Sequence, residues 1–556
     1  MSVSDAGQEK QRMLLQSLLL VVLVSALYGQ FLWNPTVFDD SPLFLLDDDG
    51  HPNVLRYAAS FSPLTLRSLP YATLAWTAQL FGFDLIGFRI GNLVLHAATV
   101  LALFFFLRLL FNVVLPKDTV HKGGLNPCWV AFFAALLFGL HPVAVYGVGY
   151  LVQRTIVMAT LFSLLAMSAY VRGCMQQKQS WLWASVFFYY LAVYSKEHAI
   201  MLPAVMLALT VLVRQDWAVR LKQTWSIFAA YAVIAILVVF ARKGILGGIY
   251  EINAPEMLQD INPENAYLFS VLTQSWLFFK YWSLWIFPNP EWMSVDMREP
   301  FAKSFFSSYL LMFAAFLFYG IAAIYLLLKR SMLGLFGFAM LFPWLMFMTE
   351  LSTVRIQEPF VLYRSYLWSV GGFALLPLIF RKITARGAML MLAIIAAFLF
   401  PISMERLSTF SHPILLWDDA EKLVRDRTNL PGVFRIYYNR GTRYLHINQY
   451  DNAIGDLKRS LELYPTQPSA YSNLGFAYFK KGKLEDAERF FSIAILLNEN
   501  SDDPPAPRYY YGRALVYEAQ NNWIAASNDY KISCKLAGKG CEKINLAERE
   551  TLSKQK

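Results

Sequence analysis

The sequence predicts an all-α protein that combines a polytopic membrane helical bundle with a C-terminal helical solenoid. Of the 556 residues, 56 % are hydrophobic and only 16 % are charged, whereas soluble domains carry roughly 25 % charged residues. The apolar residues come in blocks long enough to cross a bilayer, and the polar segment after residue 410 repeats internally. This composition excludes a disordered chain, a collagen and a nucleic-acid-binding tail.

The apolar blocks predict about eleven membrane spans. The first runs from Met13 to Trp33 and is followed by Asn34-Pro35 rather than by a small-residue cleavage site, so it is predicted to be an uncleaved span and not a secretory signal. The other candidate spans are 86–112, 128–146, 155–171, 180–195, 198–213, 224–241, 306–328, 332–349, 364–380 and 387–405.

Basic residues between the spans predict their orientation. Clusters fall on every second connection, as cytoplasmic loops do under the positive-inside rule. They are Lys10/Arg12, Lys117/Lys122, Arg172/Lys178, Arg214/Arg220/Lys222, Lys329/Arg330 and Arg381/Lys382/Arg386. The N-terminus is then cytoplasmic and the tail extracytoplasmic. The net charge of +10 is explained mostly by these anchors and needs no acidic partner.

The block 266–287 would break this alternation if it crossed the membrane completely. It contains Gln274 and Lys280, is rich in Trp and Tyr, and ends at Pro288-Asn289-Pro290. We therefore predict an interfacial or re-entrant helix within a large outer loop, 242–305.

The tail repeats with a spacing of 34 residues. Tyr437-Asn439-Gly441-Tyr444-Ala453-Pro465 recurs as Tyr471-Asn473-Gly475-Tyr478-Ala487, and a weaker copy runs Tyr510-Ala514-Tyr517-Ala526-Tyr530. This period and pattern are typical of tetratricopeptide repeats, whose paired helices stack into a solenoid. The predicted domains are a membrane domain at 1–410, a linker helix at 411–433 and a repeat domain at 434–556. The repeats alone fit a scaffold surface and an acceptor-docking surface equally well.

The four cysteines divide into two kinds. Cys128 and Cys174 lie in or beside spans and are predicted to be packing residues. Cys534 and Cys541 are both in the tail, where a disulfide fits an extracytoplasmic location. No C-x-x-C pair or His cluster indicates zinc, and a divalent metal is possible without being indicated by any motif.

Polar residues collect at the predicted outer ends of the spans. Ionisable groups at membrane depth are costly and persist mainly where they function or pair. The set comprises Asp39-Asp40, Asp47-Asp48-Asp49, His141, Gln153-Arg154, Lys196-Glu197-His198, Glu358 and Tyr363-Arg364. We expect them to build one polar cavity at the outer face of the membrane.

Structural roles remain open for several of these residues. Asp47 to Asp49 fit a solvated loop, and Lys196 and Glu197 could pair only with each other. His141 before Pro142 could cap a helix, and Arg154 and Arg364 could reach towards lipid headgroups.

Carboxylates and arginines in one outer cavity suit transfer of a sugar from a lipid phosphate. Arginines would stabilise the phosphate as its bond breaks, and an Asp would deprotonate the incoming hydroxyl. No nucleotide-binding glycine loop occurs in the sequence, so a sugar nucleotide or ATP is not favoured.

An ordered set of short motifs carries a family resemblance. They are Phe38-Asp39-Asp40, Phe61-Ser62-Pro63-Leu64-Thr65, Gly87-Phe88-Arg89-Ile90-Gly91-Asn92 with His96, Leu140-His141-Pro142-Val143, Tyr150-Leu151-Val152-Gln153-Arg154, Ser195-Lys196-Glu197, Leu272-Thr273-Gln274, and Glu358 with Tyr363-Arg364-Ser365-Tyr366-Leu367. With the repeats, the chain resembles the GT-C membrane glycosyltransferases with tetratricopeptide tails, such as the O-mannosyltransferases of this type and their bacterial relatives. Ser62 stands where relatives commonly have Arg, and Arg89 where they commonly have His.

The resemblance implies inverting transfer of a sugar from a polyprenyl-phosphate donor to a hydroxyl of an extracytoplasmic protein docked on the repeats. The Tyr-x-x-Gln-Arg form implies a bacterial inner membrane. The catalytic carboxylate is expected to be Asp40, with Asp39 as second choice. Donor-binding residues are expected to be Arg154, Arg364, Lys196, Glu197, His141, Gln153, Arg89 and Tyr363.

Two other functions compete with this one. The acceptor could be an envelope glycan or a lipid, or the chain could be a non-catalytic membrane-anchored scaffold. The scaffold is disfavoured because an anchor needs one or two spans. A transporter is disfavoured because its polar groups would lie near mid-membrane. The expected partners are therefore the lipid donor, a protein acceptor and the bilayer, and no nucleic acid.

Overall fold

The computed structural model describes residues 3–46, 52–115, 126–242, 262–501 and 503–554, and these residues form helices joined by loops, without strands. The predicted all-helical class is confirmed. Two compact units divide the chain, Met1–His412 and Pro413–Lys556. The predicted anchors Lys117 and Lys122 and the acidic run Asp47 to Asp49 lie outside the described residues.

Fourteen helices of seven or more residues are described in the first unit. They are α1 (Val3–Tyr28), α2 (Ser68–Phe81), α3 (Leu85–Val114), α4 (Pro127–Gly139), α5 (Pro142–Val148), α6 (Arg154–Gln176), α7 (Gln179–Ser195), α8 (Leu202–Val213), α9 (Trp217–Gln223), α10 (Trp225–Ala241), α11 (Pro263–Ile286), α12 (Ser308–Lys329), α13 (Ser331–Phe347) and α14 (Ala385–Ser408).

Six segments in the described residues are long and apolar enough to cross a membrane, and up to eight if each of two bent helix pairs is one span. They are Gly7–Phe31, Leu85–Val114, Arg154–Gln176, Ser308–Lys329, Ser331–Ser352 and Ala385–Ser411. The structure thus supports fewer spans than the eleven expected. The predicted interfacial helix 266–287 coincides, except for its last residue, with part of the 24-residue helix α11, which is not one of the six.

Helix length and helix breaks account for the smaller number. The predicted spans 180–195 and 198–213 correspond to α7 and α8, of 17 and 12 residues, whereas a span needs about 20. The predicted span 364–380 is broken into short helical turns. The span 128–146 bends by 64° between α4 and α5. At that bend Pro142 opens α5, and the His141 side chain accepts a hydrogen bond from the Val143 amide.

Apolar side chains cover the outside of several of these helices. On α12, Leu311, Phe318 and Ile321 are each at least 65 % exposed. Contiguous apolar surface of this kind is rare on soluble monomers and marks contact with lipid or another apolar partner.

The second unit is a row of helix pairs. It contains α15 (Pro413–Val424), α16 (Phe434–His446), α17 (Tyr450–Leu463), α18 (Pro468–Lys480), α19 (Leu484–Glu499), α20 (Pro507–Ala519), α21 (Trp523–Ala537) and α22 (Cys541–Lys554). Each helix packs against the next, from α15 onward. Gly475 allows close approach in the second pair, since a Cβ there would lie 3.0 Å from the Phe491 ring. A Cys534–Cys541 disulfide ties α21 to α22.

Candidate functional site

A cavity of about 780 Å³ in the first unit collects most of the predicted site residues. Its lining includes six of them: Asp39, Gln153, Lys196, Glu197, Tyr363 and Arg364. Five cationic side chains and three carboxylates of the described residues lie on its wall. They are Arg67, Lys196, Arg242, Arg355 and Arg364 with Asp39, Glu197 and Glu358. One side of the wall is apolar and includes Ala235, Val238 and Val239 of α10.

Helix ends and short turns position these side chains. Asp39 lies in the 3₁₀ turn Phe38–Asp40, and Tyr363 and Arg364 lie in the turn Leu362–Arg364. Lys196 follows α7 in an extended conformation, which stops the helix and directs the chain into the next turn. Residues at such ends remain free to face a cavity, whereas residues within the packed helices contact one another.

Glu197 is held by two arginines that were not among the predicted site residues. Arg67 donates from Nε to a Glu197 carboxylate oxygen at 3.0 Å, and Arg67 Nη2 and Arg242 both donate to the other oxygen. The idea that Lys196 and Glu197 pair only with each other is therefore wrong. Arg242 carried a usable signal, because it ends an apolar block on the predicted outer side, against the positive-inside bias.

A second acidic centre lies at Glu350, which is 1 % exposed. Its carboxylate accepts from Arg364 Nη1 at 3.1 Å, and it lies 3.2 Å from His198 Nε2 and 3.6 Å from Arg355 Nε. Arg364 also donates to the Glu358 carboxylate at 3.4 Å. The arginine predicted to bind phosphate is thus oriented by two acids, one of which lies at the end of an apolar segment and was missed.

Lys196 is close enough to both acidic centres to be influenced by their charge, and its ammonium is bound by neutral groups. Its ammonium donates to Gln153 Oε1 at 3.1 Å and to Thr155 Oγ1 at 3.4 Å, and it lies 4.8 Å from the centre of the Tyr363 ring. The side chain is buried, with only 4 % of the residue exposed. Burial, followed by the nearby Arg67, lowers the pKa of Lys196 to about 7.

Asp40, the expected catalytic carboxylate, does not line the cavity. It is fully buried, and Oδ1 accepts a hydrogen bond from the Val152 amide at 3.0 Å. Burial raises the pKa of Asp40 to about 6, against the opposing effects of the Val152 and Leu151 amides and Arg89. Of the two predicted carboxylates, the cavity is therefore lined by Asp39, the second choice, and not by Asp40, the first choice.

Arg154 also lies away from the cavity wall. Its guanidinium donates to Asn92 Oδ1 at 2.7 Å, to the Phe88 carbonyl at 2.9 Å and to Thr73 Oγ1 at 3.2 Å. It packs against Gly91, where a Cβ would lie 2.7 Å from the guanidinium. Arg154 therefore ties α2, α3 and α6 together, and neither the expected phosphate contact nor an orientation towards headgroups fits this geometry.

Two further predicted donor residues have structural contacts instead. Arg89 donates to the backbone carbonyls of Asn34 at 2.7 Å and Gly149 at 3.1 Å. His141 Nε2 donates to the Trp285 carbonyl at 3.1 Å while Nδ1 accepts the Val143 amide. His141 therefore caps the N-terminus of α5, which is the structural alternative considered for it. Among the described residues, no group of three or more His, Cys, Asp or Glu side chains is arranged to hold a metal ion.

Comparison with known proteins assigns only the repeats. Two family models match the chain: TPR repeat over residues 441–482 and tetratricopeptide repeat over residues 468–501. No curated protein matched the chain.

Two solved structures illustrate the structural likenesses. The first TPR of Spaghetti (RPAP3) bound to the HSP90 peptide SRMEEVD is 22 % identical, over 22 % of this chain and 94 % of that chain, with a TM-score of 0.20. The APC/C hetero-tetramer Cut9-Hcn1 is 12 % identical, over 90 % of this chain and 87 % of that chain, with a TM-score of 0.24. Scores this low do not inform the fold of the chain.

The family matches overlap the first two predicted copies of the 34-residue pattern, and the third copy forms the helix pair α20 and α21. Segments of this kind generally bind protein partners. The C-terminal region of the chain therefore carries tetratricopeptide repeats.

Proposed function

We propose that the chain is an inverting membrane glycosyltransferase of the GT-C type, which transfers a sugar from a polyprenyl-phosphate donor to a hydroxyl of an extracytoplasmic protein. One observation supports this above all. Asp39 shares a single cavity with Lys196, Arg364 and an apolar wall. These are the three features that a base, a phosphate site and a prenyl site require.

The wall matches the two ends of such a donor. The cationic side, with Lys196 and Arg364, would hold the phosphate, since charge-assisted hydrogen bonds from buried cations are strong. The apolar side from α10, with Val238 and Val239, would contact the first prenyl units. Gln153 and Tyr363 would position the sugar beside them.

The reaction follows from this arrangement. The acceptor oxygen attacks the anomeric carbon from the face opposite the phosphate, and Asp39 takes the hydroxyl proton. The bond from the anomeric carbon to the phosphate oxygen breaks, and the prenyl phosphate leaves with the bonding electrons. Lys196 and Arg364 stabilise the charge that develops on it. A single displacement of this kind inverts the anomeric centre.

The proposed setting is a bacterial inner membrane, with a cytoplasmic N-terminus and a periplasmic repeat unit. The exposed apolar surface of α12 supports immersion in lipid. The Cys534–Cys541 disulfide supports an oxidising compartment for the tail. Docking of an acceptor protein on the repeats is consistent with the usual role of these segments.

Replacement of Asp39 by Asn tests the assignment of the base. With a panel of prenyl-phosphate sugars and product detection by mass spectrometry, Asp39→Asn should lower transfer by about 10²–10⁴-fold, the usual contribution of a general base. The matched control is Asp40→Asn, which changes the neighbouring carboxylate that does not line the cavity and should retain most activity. Undiminished transfer by Asp39→Asn would refute the assignment.

The class of acceptor is tested by removing the repeat unit at residue 412, where the two compact units divide. An enzyme that docks protein on the repeats should lose transfer to protein while keeping hydrolysis or transfer to a small alcohol. An enzyme that modifies a glycan or lipid should be unaffected, and that result would favour the alternative acceptor.

A further inference from the structure

Lys196 is a buried cation in the cavity wall, and its ammonium has no carboxylate partner among the described residues. Only 4 % of the residue is exposed, and the hydrogen-bond partners of its ammonium, Gln153 and Thr155, are neutral. Within the described part of the chain, no carboxylate lies within ion-pair distance of its ammonium. A buried ammonium without a counter-ion costs several kcal/mol, and a protein commonly avoids that cost by releasing the proton.

The charged groups that face Lys196 do not remove this cost. Arg67 and Arg364 oppose its positive charge, while Glu197 and Glu350 favour it. Both acids are already engaged, Glu197 by Arg67 and Arg242 and Glu350 by Arg364 and His198. The Tyr363 phenol beside the ammonium remains neutral near pH 7, because burial raises the pKa of Tyr363 to about 12.

We infer that the phosphate of the ligand binds at Lys196 together with one proton taken from solvent, so that the side chain is largely neutral in the free protein at alkaline pH and an ammonium in the complex. This inference rests on the proposed function, since it concerns the anion that the same cavity would bind. An incoming phosphodiester supplies the negative charge that Lys196 lacks, and the pair is then stable in the buried site.

The sign of the pH dependence follows from linkage. The lowered pKa of Lys196, about 7, rises when an anion binds beside it. Between the free and the bound pKa, binding requires uptake of one proton, so affinity falls by about tenfold for each pH unit. Below the free pKa the lysine is already charged, and affinity becomes independent of pH.

The test uses a short-chain prenyl methyl phosphodiester as its probe. A diester has no ionisation near neutrality, whereas a monoester phosphate has one near pH 6. Titration calorimetry between pH 7.5 and 9, in two buffers of different protonation enthalpy, gives the proton count directly. This range also lies above the ordinary pKa of His198, about 6.5 for an unperturbed imidazole. We expect uptake of about one proton and a Kd that rises about tenfold per pH unit.

Two variants of Lys196 distinguish the effect of proton uptake on binding from the effect of the positive charge. Lys196→Arg keeps a permanent cation, so it should bind the diester without proton uptake and with a flat pH profile. Lys196→Met should bind at least tenfold more weakly and also take up no proton. The matched control is Lys303→Met, which changes an exposed lysine and should bind the diester as the wild type does. Dimethyl phosphate, a diester without a prenyl chain, is the second probe. If it binds as tightly as the prenyl diester, the ligand is a phosphate without a lipid rather than a lipid-linked one.

Several results would overturn the inference. They are pH-independent binding by the wild type, proton uptake retained in Lys196→Arg, and absence of diester binding. The inference and the proposed function fail separately. Transfer activity without proton uptake would remove only the inference, whereas proton-coupled binding without transfer of any sugar would remove only the glycosyltransferase.

Discussion

Lys196 of the first unit differs in its partners from two half-buried arginines of the repeat unit. In the repeat unit, Arg440 donates to the Asp456 carboxylate at 2.7 and 2.9 Å and to Asp418 at 2.9 Å. Arg513 makes the same pair of bonds to Asp529, at 2.7 and 3.0 Å. In the first unit, Lys196 has neutral partners and faces a cavity.

The second repeat shows what the paired charges do. Leu474 and Phe490, each 34 residues after Arg440 and Asp456, replace that ion pair with a buried apolar contact. A pair that can be exchanged for apolar packing holds two helices together. A buried cation such as Lys196, which has no such pair among the described residues, cannot be explained in that way, and this difference supports the proposal that the cavity rather than the solenoid binds a charged ligand.

The largest expected effect on stability is that of Glu350→Gln. This change leaves Arg364 and Arg355 without their shared buried carboxylate, and loss of one partner from a buried ion pair costs about 3–5 kcal/mol. Unfolding of the full chain in detergent, followed by tryptophan fluorescence, should occur at clearly lower denaturant concentration. Glu358→Gln is the control, because Glu358 is more exposed and its loss should cost less than about 1 kcal/mol. Equal effects of the two changes would contradict the central role of Glu350.

A smaller, local effect is expected from Arg513→Met. Loss of the two bonds to the buried Asp529 should destabilise the third helix pair by about 2–3 kcal/mol. Hydrogen exchange of the full chain should quicken in α20 and α21 but not at the cavity.

The double change Arg513→Leu with Asp529→Phe copies the second repeat and should recover part of the loss. The ion pair of Lys481 with Asp451 serves as a control, because the Asp451 side chain is 84 % exposed. Removal of this pair should destabilise the protein by about 0.5 kcal/mol or less. Altered diester binding by Arg513→Met would remove the distinction between the units.

The smallest effect is expected from reduction of the Cys534–Cys541 disulfide. The bond closes a loop with a sequence separation of only seven, so its contribution through chain entropy is about 2 kcal/mol. Exchange should quicken in α22, with α16 to α19 unchanged, when the full chain is treated with a reductant. Cys534→Ala with Cys541→Ala should give the same pattern. Loss of protection across the whole repeat unit would show that the bond stabilises more than the last helix.

Some of the site was predictable because it lies next to helix ends that are visible as interruptions in apolar blocks. Asp39, Lys196, Glu197, Tyr363 and Arg364 follow such ends, and all of them line the cavity. A position beside such an end, or in a connecting loop, was not sufficient by itself to identify every residue of the site. Glu350 sits at the end of an apolar segment, and Arg67 lies in a left-handed backbone conformation before α2, at a φ of 62°. Neither position belongs to a recognisable motif.

The sequence by itself determined the helical class, the apolar blocks and the repeats, because these depend on local length and periodicity. The tertiary structure alone distinguished Asp39 from Asp40 and Arg364 from Arg154. Adjacent or similar residues differ there only in their neighbours: Asp40 meets the Val152 amide, and Arg154 meets Asn92. The role of a buried charge depends on which groups from distant segments surround it, and no local pattern in the chain records that.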